Sequence, residues 1–160
     1  LEGLALNGAT DDAAIAAALD ADNTSNGQQA AARARATFPT AAAKRAAFDS
    51  LVARDDQPNV IVRNVTMGFL HANDPSSLQD LIEPYFAMLN EVWSSRTYKI
   101  AEYIVQGLYP APLASRELVD ATTAWLDANP DTPALRRLIV ENLAGVERAL
   151  KAQERDRASR

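Results

Sequence analysis

One histidine, no cysteine and scattered carboxylates set the limits of the chemistry this 160-residue chain can do. A catalytic zinc site commonly takes three protein ligands, mostly His with a carboxylate. His71 alone does not supply them, and no H-E-x-x-H run occurs. A Ser–His–Asp site would have only His71 to build on, and the G-x-S-x-G turn that exposes such a serine is absent. There is no Walker loop and no G-x-G-x-x-G. Asp80 and Glu83 have the i,i+3 spacing of neighbours on a helix, which reads as a solvated face; acid–base work would also need a pocket. The residues therefore predict no catalytic centre and no metal site in this chain.

Two arginines stand in unusual company. Arg63 lies in Val62-Arg63-Asn64, on a segment otherwise rich in Val and Ile. Arg96 lies in Trp93-Ser94-Ser95-Arg96-Thr97, between two strongly apolar segments. Each has two roles open to it. A guanidinium can cap the C-terminal carbonyls of the preceding helix or pair with a nearby acid. Alternatively, from a concave face, it can hold a peptide carboxylate bidentately.

The formal net charge of −5 argues against a nucleic-acid partner, which needs clustered Lys and Arg. The basic stretch Arg148 to Arg160 is interrupted by Glu154 and Asp156 and reads as a solvated helix end. No run of about 18 apolar residues occurs, so no membrane partner is expected. No secretory leader is visible and a cytoplasmic location is expected. The sequons Asn23-Thr24-Ser25 and Asn64-Val65-Thr66 are read as chance matches on that basis. The first residue is Leu1, which suggests a piece of a longer chain.

The elements that must carry these residues read as helices. Alanine is abundant and glycine sparse, at six, a balance that favours helix over sheet. Asp74-Pro75 and Thr132-Pro133 each place a capping side chain before a proline at the first helical position. Ser25-x-x-Gln28 resembles a capping box, Thr10 precedes two carboxylates, and Thr40, Thr97 and Ser115 are further caps. Apolar stripes at 3.6 spacing follow, the clearest being Leu78, Leu81, Ile82, Tyr85, Phe86, Leu89, Val92 and Trp93. Pro84 lies inside that stripe and predicts a kink or a broken turn. The segments Asp11–Asp20 and Gln28–Thr37 read as small-faced helices that pack closely, and Leu1–Leu6 as the tail of a helix. The breaks are short, so neighbours are antiparallel. The expectation is one all-α domain over residues 1–160, with about eight helices in antiparallel pairs stacked as a HEAT/armadillo-like right-handed α-α superhelix.

Several of these segments resemble the C-terminal helical domain of actinobacterial aminopeptidase N, a gluzincin zinc aminopeptidase. The residues that carry the resemblance run from Ala31-Ala32-Arg33-Ala34 and Pro39-Thr40-Ala41-Ala42-Ala43-Lys44 through Tyr85-Phe86-Ala87-Met88-Leu89-Asn90-Glu91-Val92-Trp93 and Arg96-Thr97-Tyr98-Lys99-Ile100-Ala101. They close with Val105-Gln106-Gly107-Leu108-Tyr109-Pro110 and Leu135-Arg136-Arg137-Leu138-Ile139-Val140-Glu141. The resemblance implies a noncatalytic arch that encloses the catalytic chamber and limits or guides peptide access. Zinc would sit in the catalytic domain of the parent protein and not in this fragment. The implied partners are that upstream catalytic domain of the same polypeptide and peptide substrates, with Arg63 and Arg96 as candidates to line the chamber. If upstream helices once covered Leu1, Leu4 and Leu6, the fragment would also self-associate through its N-terminal helices. The alternative function is a free-standing helical-repeat interaction scaffold, which shares the fold and differs only in what lies upstream of Leu1.

Overall fold

The computed structural model describes residues 1–159, so Arg160, the last of the basic run, lies outside the described residues. Those residues form nine α-helices and two 3-10 turns, with no strand. The helices are α1 (Glu2–Leu6), α2 (Asp12–Ala21), α3 (Ser25–Thr37), α4 (Ala41–Val52), α5 (Asn59–Leu70), α6 (Ile82–Ser95), α7 (Tyr98–Gly107), α8 (Arg116–Ala128) and α9 (Pro133–Ala158). The 3-10 turns are Pro75–Leu81 and Ala111–Leu113. The ninth helix beyond the expected eight is the Leu1–Leu6 tail, which closes one turn of its own.

Most helix starts fall where side-chain oxygens cover the free N–H groups. Thr40 accepts from Ala43 N at 3.2 Å and Ser115 from Leu118 N at 3.2 Å. Two caps sit one residue away from their expected positions. Asp11, not Thr10, accepts from Ala14 N at 2.8 Å, and Thr24, not Ser25, accepts from Gly27 N at 3.1 Å. In each case the capping residue is the extended one, and its successor has already turned helical. Thr97 and Thr132 precede their helices without a side-chain cap bond.

Pro84 breaks the helix in a specific way. The segment from Pro75 to Leu81 winds as a 3-10 turn, and the α-helix begins at Ile82. Pro84 then falls in the first turn of α6, where a backbone N–H has no intrahelical acceptor to lose.

The helices stack in two rows. α1, α3, α5, α7 and α9 are successive neighbours, while α4, the Pro75–Leu81 turn, α6 and α8 follow one another in the second row. The larger core lies between the rows and is centred on α6, where Tyr85, Leu89 and Val92 are buried. Trp93 is only partly buried and meets Tyr98 edge-on at 5.5 Å between ring centroids, so the stripe faces the core with its other residues and turns outward at Trp93. A smaller core of Ala5, Ile15, Ala31 and Ala34 serves α1 to α3.

Close approach within the first row depends on two glycines. A methyl group at Gly68 would stand 2.3 Å from the Arg33 carbonyl oxygen, and one at Gly107 would stand 2.3 Å from Thr66 Cβ. Both are far inside van der Waals contact, so α5 can lie this close to α3 and to α7 only with hydrogen at these positions.

Candidate interface on the odd-numbered helices

The distribution of exposed apolar residues separates the two rows. The large apolar side chains exposed among the described residues are Leu1, Leu4, Val60, Met67, Tyr98 and Val140. They lie at or on α1, α5, α7 and α9, and none is on α2, α4, α6 or α8. On α5, Val60, Arg63 and Met67 share one arc of about 60° at 3.6 residues per turn. The opposite arc carries the buried Val62, Val65 and Phe69. A helix apolar on both sides has two surfaces to satisfy.

Arg63 is exposed on that arc and makes no ion pair or side-chain hydrogen bond among the described residues. Beside it, Asn64 donates to Gln29 Oε1 at 3.3 Å. Asn64, Gln29, Arg33 and Glu2 line a hollow of about 520 Å³ between α1, α3 and α5. Glu2 holds two cations there, Arg33 Nε at 2.9 Å and His71 Nδ1 at 3.1 Å. His71 is the C-cap of α5.

Arg96 is placed differently. Its Nη2 donates to the carbonyls of Val52 at 3.0 Å and Arg54 at 3.2 Å, at the C-terminal end of α4. It therefore caps a helix distant in sequence and not the preceding one. Arg136 does the same for α8, donating to Leu126 O and, at 2.9 Å, to Asn129 O. Lys44 is the extreme case: wholly buried, it donates to the carbonyls of Ala36 (2.9 Å) and of Gly68, Phe69 and His71 (3.0 Å each). These oxygens belong to the C-terminal ends of α3 and α5, where the helix dipoles favour a cation. No carboxylate neutralises it, and burial pushes its ammonium from the ordinary 10.5 down to about 8.

Sequence reasoning passed over Val60, Met67 and Lys44. The first two were signalled by Val and Ile on more than one face of α5. Lys44 gave no such signal, since its acceptors come from segments distant in sequence.

Among the described residues, no group of three His, Asp or Glu side chains could hold a metal ion, and no helix is long and apolar enough to cross a membrane.

Comparison with known proteins assigns the frame in which these features act. The chain is 43% identical over 145 residues to the Aminopeptidase N of Streptomyces lividans. The match covers 91% of this chain and 17% of that protein, so the chain spans about a sixth of its relative's length. Residues 3–148 match the family described as the ERAP1-like C-terminal domain, and the two-row helical chain belongs to that family.

Proposed function

We propose that the chain is the noncatalytic C-terminal domain of a zinc-dependent aminopeptidase N, and that its odd-numbered helices face the catalytic chamber, limiting or guiding peptide access. The observation that carries this reading is the confinement of exposed apolar side chains, with the unpaired Arg63 among them, to one row of helices. A face of that kind suits a surface that the rest of a larger polypeptide encloses. The alternation of the rows supports a stack of helix pairs bent into a right-handed arch over residues 1–160. In this reading zinc belongs to the upstream catalytic domain, the substrates are peptides and the location is cytoplasmic. Arg63 is the stronger candidate for holding a peptide carboxylate, because Arg96 already serves the carbonyls of α4.

Oxidative footprinting of the intact polypeptide tests the reading. Met67 is 40% exposed in this domain and its thioether is readily oxidised. A non-cleavable peptide of about ten residues should slow its oxidation, whereas a single-residue inhibitor should not. Equal oxidation with and without the long peptide would remove the face from the chamber.

A further inference from the structure

The row opposite this face carries a groove of about 830 Å³ between the Pro75–Leu81 turn, α6 and α8. Its apolar floor includes Phe86, Ala121 and Trp125, and three carboxylates stand around it: Asp80, Glu83 and Glu117. No lysine or arginine lines it, and none of the three acids is in an ion pair among the described residues. Glu117 accepts only the Gln79 amide, at 2.6 Å. The wall thus gathers uncompensated negative charge beside aromatic rings.

Trp125 adds a second and independent requirement. It is 8% exposed and lines the groove, yet its indole N–H meets no acceptor among the described residues. A buried indole N–H usually finds a partner. An occupant that suits the groove therefore brings a cation for the carboxylates, an apolar stem for the rings and a carbonyl for the indole. A basic residue within an extended peptide has all three. Arginine fits best, because a guanidinium stacks on aromatic rings and pairs bidentately with carboxylates.

We infer that the groove of Asp80, Glu83, Glu117, Phe86 and Trp125 is a docking site for an arginine-bearing segment of a separate protein. The site lies on the row that does not carry the exposed apolar face and is independent of the chamber reading.

The test is fluorescence anisotropy with the intact polypeptide and a labelled Ala-Arg-Ala-Arg-Ala peptide. Blocking both ends of the peptide keeps it from being an aminopeptidase substrate. Binding should weaken at least tenfold when citrulline replaces arginine, and likewise in the Glu83→Gln, Glu117→Gln double variant, whose exposed substitutions leave the core intact. Trp125→Phe, which keeps a ring and removes the N–H, should weaken it several-fold with helical content unchanged. Equal binding of the citrulline peptide, or full binding by the double variant, overturns the inference. Self-association that disappears in the double variant would assign the groove to a second copy of this chain and overturn the choice of partner.

Discussion

Lys44 Nζ lies 3.0 Å from the Gly68 carbonyl oxygen, at the position where α5 passes closest to α3. The two residues do complementary things. The absence of a side chain at Gly68 lets the backbones meet, and the lysine then gathers the carbonyl ends that the meeting brings together. An ammonium has three protons, and here four carbonyl oxygens share them.

Lys44→Met keeps an unbranched chain and removes the donor. Several carbonyls at the α3 and α5 ends then lose their partner away from water, each at a cost of roughly 1–3 kcal/mol. Relaxation recovers part of this, so the expected loss is about 3–5 kcal/mol in urea unfolding. A loss under about 1 kcal/mol would mean that water or another cation replaces the lysine.

The same residue sets a pH dependence. Its folded pKa, about 8, lies below the ordinary 10.5, so the folded chain releases the proton first. Between these values the unfolded state binds more protons, and stability rises with pH. Below about pH 8 both states are protonated and the contribution is flat. From pH 7.5 to 9.5 the rise should be roughly 2 kcal/mol, and Lys44→Met should abolish it. Higher pH is less informative, because burial raises the Tyr85 and Tyr109 phenols above 10.0 and their effect has the opposite sign. A wild-type midpoint that stays level from pH 7.5 to 9.5 would rule out the depressed lysine.

The two contact glycines should respond unequally to alanine. At Gly68 the new methyl meets backbone and the Ala36 methyl, at 2.3 and 2.9 Å, and neither gives way easily. At Gly107 it meets the Thr66 side chain, which is held by its bond to Arg63 O at 2.8 Å but keeps a rotamer to move to. Gly68→Ala should therefore destabilise by about 3 kcal/mol or more, and Gly107→Ala by about 1–3 kcal/mol. Thermal unfolding of the two variants orders them, and the reverse order would show that α5 shifts more readily from α3 than from α7.

Much of this was legible from local chemistry. Caps such as Thr40 and Ser115, the proline at the start of the Pro75–Leu81 turn and the Ala-rich face of α3 are decided within a few residues, and the sequence pattern shows them. The α6 break was legible in kind, while its position one turn before Pro84 required knowing that the preceding segment winds as a 3-10 turn. What the pattern could not show is convergence. Ala41-Ala42-Ala43-Lys44-Arg45 looks like an ordinary helix with two surface bases. Only the meeting of α3 with α5, separated by more than twenty residues, makes Lys44 interior and leaves Arg45 outside, paired with Asp49 at 2.8 Å. The docking groove follows the same logic, since Gln79, Glu83 and Glu117 become neighbours only when α8 returns beside α6.

The arginines separate the functional reading from the structural one. In the intact enzyme, Arg63→Ala removes an exposed guanidinium with no internal partner and should change stability by less than about 0.5 kcal/mol. If it holds the carboxylate of a bound peptide, the variant should raise KM for peptides several-fold and leave single-residue chromogenic substrates nearly unchanged, because only a peptide long enough reaches this face. Arg96→Ala deprives the α4 carbonyls of a charge-assisted donor and should cost about 1.5–3 kcal/mol. If Arg96 serves only α4, activity should fall equally on long and short substrates, in proportion to the folded fraction. A selective effect of Arg96→Ala on peptides, with wild-type stability, would move it into the chamber. Loss of both substrate types in Arg63→Ala would show that its position on the open face of α5 is structural after all.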